Sequence, residues 1–315
     1  MPDAILVHVG YHRTGSSWLQ KFLFAGDGTG LRWVGKAADD HPVRKLILAR
    51  WSEWDARASR AEFEALFEPI LADGLVPVVS FERLSGHAVS GGYDSGAIAD
   101  RLRQVFPEGQ VLIVIREQRG AIVSNYSRYV KAGGPESLRE FLDPPFTTNL
   151  RVPWFDFRHF EYHHLIRRYS ELFGPEALLV RTYEQFVREP REFVTAIADF
   201  AGRPLGQTVL DSLPYDTHVQ GTLSPTSRLV LRHLNRFVRS EVNPAPFVDL
   251  GRHRTLKRLS RHRFFEVAIP ETVAARNEKS LHRVAAEIVG DRYVESNRVT
   301  AELTGIDLGG YGWQV

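Results

Sequence analysis

Three groups of residues have the types and spacing for chemistry. Between the apolar run AILVHV and the helix-like segment LQKFLF stands GYHRTGSSW, Gly10 to Trp18. Gly10 and Gly15 permit a tight wrap, Arg13 brings a fixed positive charge into it, and Ser16 and Ser17 add hydroxyls and a helix cap. A strand, a glycine loop and a helix N-terminus together form an oxyanion cradle. The pattern departs from the nucleoside-triphosphate loop GxxxxGK(S/T), because Ser16 stands where that loop places its phosphate-steadying lysine. The second group is Arg116, which closes the apolar run QVLIVI, with Ser124 eight residues later on a helical stretch. The third is Glu82-Arg83 after VPVVSF, a carboxylate placed to act as a general base, with His87 in reserve. Phosphoryl-transfer enzymes hold Mg²⁺ with an aspartate at a neighbouring strand end. An arginine there repels a divalent cation and suits a phosphate, so the pattern reads as a nucleotide held by arginine and hydroxyls, with no metal assigned.

These groups need a scaffold that brings strand ends together. Buried-strand patterns occur at residues 4–9, 76–81, 110–115 and 177–182, separated by stretches long enough for helices. Helical periodicity marks SSWLQKFLF, HPVRKLILARW, RAEFEALFEPILA, IADRLRQVF, RGAIVSNYSRYV, FRHFEYHHLIRRYSELFG and PREFVTAIADFAG. Alternation of this kind predicts an α/β, P-loop-type three-layer fold with a parallel β-sheet flanked by helices. After Gly221 strand signals fade, and helices are expected at about 225–239, 253–265 and 271–304. The expected organisation is a single domain over 1–315, with an α/β core at 1–220 and a helical C-terminal extension, 221–315, packed on it.

Composition narrows the function classes. The 315-residue chain is long enough for a sizeable core, and its net charge of +2 gives no reason to expect nucleic acid as a partner. With no cysteine, thiol catalysis, thiolate metal sites and disulfides are excluded. The first strand begins close to Met1, with no signal-peptide pattern and no apolar run near the ~18 residues of a membrane span, so a cytoplasmic protein is expected.

In this setting HRTGSSWL (12–19) resembles the 5′-phosphosulfate loop of sulfotransferases that use 3′-phosphoadenosine 5′-phosphosulfate, PAPS. Arg13 takes the position usual for a catalytic lysine, and His12 replaces the usual proline. IREQRGAIVSNYSRY (115–129) is similar to that family's 3′-phosphate site, an arginine at a strand end and a serine eight residues on. SFERLSG (80–86) resembles the FEKS-type segment of carbohydrate sulfotransferases. ALLVRTYEQFVREPREFVTAIADFAG (177–202) and YVESNRVTAELTGIDLGGY (293–311) are similar to later blocks, the second to the ending of bacterial members.

The resemblance implies PAPS as co-substrate, held by Arg13, Thr14, Gly15, Ser16, Ser17, Trp18, Arg116, Ser124 and Tyr183. It also implies catalysis by Glu82 and Arg13, with His87 as the second candidate base, and transfer to a hydroxyl or amine of a carbohydrate or glycolipid by in-line displacement without metal. Arginine at position 13 stabilises charge but is a poor proton donor. No RKG-type C-terminal segment is present, and GRHRTLKR (251–258) is the candidate substitute. The rivals are a P-loop small-molecule kinase and a non-catalytic nucleotide- or carbohydrate-binding protein of the same fold.

Four weaker signals complete the reading. Residues 225–265 hold ten Lys or Arg against Glu241 and Asp249, and Arg228, Arg232 and Arg236 share one helical face. That face is expected to be a solvated flank, with peripheral membrane contact as its alternative. His163-His164 lie on a helix without a third metal ligand at suitable spacing. Trp154, Phe155 and Phe157 read as core packing before sugar stacking, and the rings of Trp18 and Trp33 also read as packing.

Overall fold

The computed structural model describes residues 5–25, 28–36, 38–143, 155–217, 219, 223–240, 242–247 and 271–315. In chain order the strands and α-helices are β1 (Leu6–Gly10), α1 (Ser16–Trp18), β2 (Leu31–Trp33), α2 (Pro42–Leu48), α3 (Ala56–Ala72), β3 (Val76–Ser80), α4 (Ser95–Val105), β4 (Gln110–Ile115) and α5 (Gln118–Ala132). Then follow α6 (Leu138–Leu142), α7 (Tyr162–Phe173), β5 (Leu178–Thr182), α8 (Tyr183–Arg188), α9 (Pro190–Phe200), α10 (Gln207–Ser212), α11 (Pro225–Asn235), α12 (Glu271–Val289) and α13 (Val294–Thr304).

The five strands form one parallel sheet in the order β2-β3-β1-β4-β5. Side chains alternate between its faces, as the pleat requires. Val7, Val9, Val111, Ile113 and Ile115 enter one apolar cluster with Tyr126, Tyr162 and Tyr169. Leu6, Leu112 and Val114 enter the other with Phe193, Val194 and Ile197. Both faces are therefore covered, which is why these strands read as unbroken apolar runs. Chain order reverses beside β1, which has β3 on one side and β4 on the other, so the crevice beyond its C-terminal end is the ligand position expected of an open α/β sheet.

The four strands expected from the sequence are present to within two residues at each end. β2 was not legible: it is three residues long with Arg32 at its centre, too short for a periodicity signal. SSWLQKFLF opens as one α-turn and continues as a π-helix, Leu19–Leu23. The helix expected over 271–304 is two, because Gly290 adopts φ +55° after α12 and the chain turns before α13. The expected helix 253–265, the segment GRHRTLKR and Trp154 lie outside the described residues.

The basic face of α11 departs from its expected solvated flank. Arg228 is 3% exposed, its guanidinium bonded to Glu278 of α12 and donating to Ser127 Oγ of α5 at 2.8 Å. A residue read as surface charge thus fastens two helices of the C-terminal region to α5. α13 packs against α7, and the ending beyond it folds back on α13: Asn297 exchanges amide hydrogen bonds with Gln118 of α5 and donates to the Gln314 carbonyl at 2.7 Å. No helix among the described residues is long and apolar enough to cross a membrane.

Candidate active site

The loop after β1 is held in an uncommon shape. Arg13 has φ +71°, the only positive φ outside glycine among the described residues, and Gly15 follows at φ +88°. Thr14 donates its hydroxyl to the Tyr11 carbonyl at 2.6 Å, and Arg116 Nη1 donates to the Arg13 carbonyl at 3.1 Å. Positive φ at Arg13 and Gly15, on either side of Thr14, turns the loop back on itself, a backbone geometry suited to an anion nest. Ser16 beside it is 2% exposed, and its Oγ is buried with no hydrogen-bond partner. A Cβ on Gly10 would stand 2.5 Å from that oxygen, so only glycine at the end of β1 leaves the hydroxyl its space. A buried hydroxyl without a partner is costly unless a ligand supplies one, and a phosphate oxygen meets that need.

This loop forms one wall of a cavity of about 470 Å³. Arg13, Gly15, Ser16, Ser17, Trp18, Arg116, Ser124 and Tyr183 all line it, as does Glu82. Of the residues expected to hold the nucleotide, only Thr14 is not on its lining, since its hydroxyl is turned inward to Tyr11. The Arg116 guanidinium carbon lies over the Tyr183 ring, 4.6 Å from its centroid, and the side chain forms no ion pair among the described residues. Its backbone is braced from behind, because Tyr162 Oη donates to the Arg116 carbonyl at 2.6 Å. Burial lowers the Arg13 pKa, with Arg128 and Arg116 lowering it further and Glu82 opposing. Arginines gathered without matching carboxylates favour a polyanionic ligand.

Sequence reasoning did not foresee the aromatic end of this cavity. Trp18 stacks on Tyr215, with centroids 5.8 Å apart and planes at 18°, and meets Phe186 at 5.0 Å. Tyr215 and Phe186 line the cavity with it. Trp18 is thus both buried packing and cavity wall, its indole N–H donating to the Pro214 carbonyl at 3.1 Å. No periodicity links Tyr215 to Trp18, so only the tertiary fold reveals the pair.

Glu82 opens a 3-10 turn, Glu82–Ser85, at the end of β3. Its carboxylate accepts from Arg128 Nη1 at 3.3 Å and stands 3.8 Å from His12 Nε2. Burial raises the Glu82 pKa, against the opposing charges of Arg128 and Arg13. Burial likewise drives His12 well below the ordinary histidine value, so at neutral pH His12 is an uncharged neighbour, not an ion-pair partner. Arg83 points elsewhere, paired with Asp94. His87 lines neither this cavity nor the next; its Nδ1 shares a 2.7 Å hydrogen bond with Ser90 Oγ.

A second cavity of about 290 Å³ lies on the other side of Glu82. Glu82 and Ser17 line both cavities, so they stand at the seam. His12, Gln20, Trp33, Phe81, Arg83 and Arg128 line the second. Trp33 is therefore a wall and not core packing alone. Its indole N–H donates to the Ser80 carbonyl at 3.1 Å, and Gln20 Nε2 donates to the same carbonyl at 3.0 Å.

The other signals resolve differently. His163 and His164 do acquire a third potential ligand, Glu161, all three ligand atoms lying within 4.8 Å of one another at the start of α7 and outside both cavities. Phe155 and Phe157 pack edge to face at 4.8 Å within the larger apolar cluster, as expected.

A parallel sheet that reverses order beside a glycine loop, with an unpartnered buried hydroxyl and strand-end arginines, defines a P-loop-type α/β protein built for a phosphorylated ligand. Residues 97–207 match the model of the sulfotransferase family. The matched span holds Arg116, Ser124 and Tyr183 but neither the 10–18 loop nor Glu82. The fold is that of a sulfotransferase from Alicyclobacillus acidocaldarius, 17% identical, at a TM-score of 0.51 over 82% of this chain and 100% of that one. A sulfotransferase domain from the curacin biosynthetic pathway is 15% identical, covering 77% of this chain and 85% of its own at a TM-score of 0.46. Mouse sulfotransferase SULT7A1, complexed with PAP, is 11% identical, with 96% and 90% covered at 0.43. No curated protein matches the sequence.

Proposed function

We propose that this chain is a sulfotransferase that takes a sulfuryl group from PAPS and transfers it to an acceptor hydroxyl, with a sugar hydroxyl the first candidate and Glu82 as base. The observation that carries this reading is the position of Glu82 at the seam between an arginine-lined cavity and a second, smaller one. The donor would fill the first. Its 5′-phosphate lies in the nest of Arg13 to Ser17, where Ser16 Oγ lacks a partner. Its 3′-phosphate lies between Arg116 and Ser124, and its adenine lies toward Trp18, Phe186 and Tyr215.

The acceptor enters the second cavity, and Glu82 removes the proton from its hydroxyl as the oxygen attacks sulfur in line. As the phosphate leaves, Arg13, the loop amides and the Ser16 and Ser17 hydroxyls meet the charge growing on the bridging oxygen, in place before reaction begins. Raised by burial, Glu82 is a stronger base than an exposed carboxylate, while Arg128 keeps it ionised. Arg13, with no proton to release at working pH, acts by charge alone. Positive charge at the β4 end supports transfer without a divalent ion, and the rate is expected to be unchanged by EDTA.

Thermal shift separates this function from its rivals. Adenosine 3′,5′-bisphosphate at a hundredfold excess over its Kd should stabilise the protein by about 2.7 kcal/mol relative to the free chain, and AMP at the same concentration by less. ATP should do less, with or without Mg²⁺. A larger shift with Mg-ATP indicates the kinase, and bisphosphate binding without sulfuryl transfer to any of a panel of sugars and phenols indicates a non-catalytic binder.

A further inference from the structure

The second cavity has a charge that a neutral alcohol would leave unmatched. Lys36, Arg83 and Arg128 line it, and Glu82 is the one carboxylate among its lining residues. None of the three cations lines the donor cavity, so they are not explained by the nucleotide. Lys36 is exposed and has no ion-pair partner among the described residues. Arg128 spans the cavity edge to Glu82 at 3.3 Å. Arg83 is fixed by Asp94, yet its other terminal nitrogen, Nη1, is buried without a hydrogen-bond partner. Facing these charges are two aromatic walls, Trp33 and Phe81, with ring centroids 6.4 Å apart. Trp33 and Gln20 are tied to the end of β3 through Ser80, so this side of the cavity is formed before a ligand arrives.

We infer that the acceptor is a small anionic hydroxyl compound, one ring bearing a carboxylate or phosphate, whose ring lies against Trp33 and Phe81 and whose anion lies against Lys36 and Arg128. The inference rests on the proposed function, since it takes the second cavity as the acceptor's. It adds a consequence for the base. An anion that engages Arg128 shares the cation that Glu82 otherwise holds, so binding of the correct acceptor loosens the contact that shields the carboxylate. A neutral acceptor would not.

The test is binding to the full chain by calorimetry, with and without adenosine 3′,5′-bisphosphate, using two matched pairs. 4-Hydroxybenzoate against 4-hydroxybenzamide probes an aryl ring; methyl β-D-glucuronide against methyl β-D-glucoside probes a sugar ring. In at least one pair the anion should bind about tenfold more tightly or better, as expected for a charge-assisted contact. That preference should fall to within threefold in Lys36→Ala and Arg128→Ala, both on exposed side chains, while bisphosphate affinity stays within twofold in Lys36→Ala. Equal binding of anion and neutral partner in both pairs, no binding by any of the four, or a preference untouched by both substitutions overturns the inference. Bisphosphate binding is scored separately, so its failure rejects the proposed donor site whatever the anion preference proves to be.

Discussion

Two arginines beside α5 face opposite circumstances. Arg228 reaches α5 from α11 and is buried, but Glu278 and Ser127 answer its charge. Arg116, just ahead of α5, meets only the Arg13 carbonyl and the face of Tyr183, with no carboxylate in ion-pair range among the described residues. A buried cation with a carboxylate is a fastening, because separating the pair leaves a desolvated charge behind. A partly buried cation lining a cavity without one has its partner in a ligand. Only the first kind should matter to folding, and only the second to nucleotide binding.

The largest expected effect lies at the seam between the cavities. Glu82→Gln should lower kcat by about 10²–10⁴ while adenosine 3′,5′-bisphosphate affinity changes by less than twofold, measured by sulfuryl transfer from radiolabelled PAPS and by calorimetry. An active Glu82→Gln enzyme would falsify the assignment of the base. Next, Arg116→Ala should weaken the bisphosphate by about 10- to 100-fold and AMP much less, since only the former carries a 3′-phosphate. The melting temperature should barely move. Arg228→Ala should do the reverse, costing about 1–3 kcal/mol in urea unfolding with bisphosphate affinity unchanged in the folded protein. Equal effects of Arg116→Ala and Arg228→Ala on both readouts would dissolve the comparison.

The smallest effects concern pH. Burial raises Glu82 in the folded state, so folding favours its protonated form. That stabilising contribution is complete below the ordinary carboxylate value and is lost as pH rises through the raised one. Glu82→Gln should therefore melt higher than the parent near neutral pH, with the difference vanishing in acid. In the proposed mechanism the ionised carboxylate is the base, so the acid limb of the kcat–pH profile should lie above the ordinary carboxylate range and disappear in Glu82→Gln.

Much of the proposed donor site was legible because it is local. A turn that holds a phosphate needs glycine where φ is positive, hydroxyls at a helix start and a charge nearby, and Gly15, Ser16, Ser17 and Arg13 lie within five residues. The interval from Arg116 to Ser124 is likewise one strand end and two turns of one helix. The strands were legible because burial on both faces demands continuous apolar runs.

What no local pattern contains is the partner that a residue meets across the fold. Tyr215 under Trp18, Arg128 on Glu82, Glu161 beside His163 and Glu278 on Arg228 join residues by position in space, and the sequence offers the same letters for a solvated charge as for a buried one. The sequence alone determined the anion loop, its arginine and serine companions and the parallel sheet, since backbone geometry and burial act over a few residues. Tertiary structure alone decided which arginines stay without a carboxylate, and so where a ligand is required, because electrostatic pairing depends on distance and not on order along the chain.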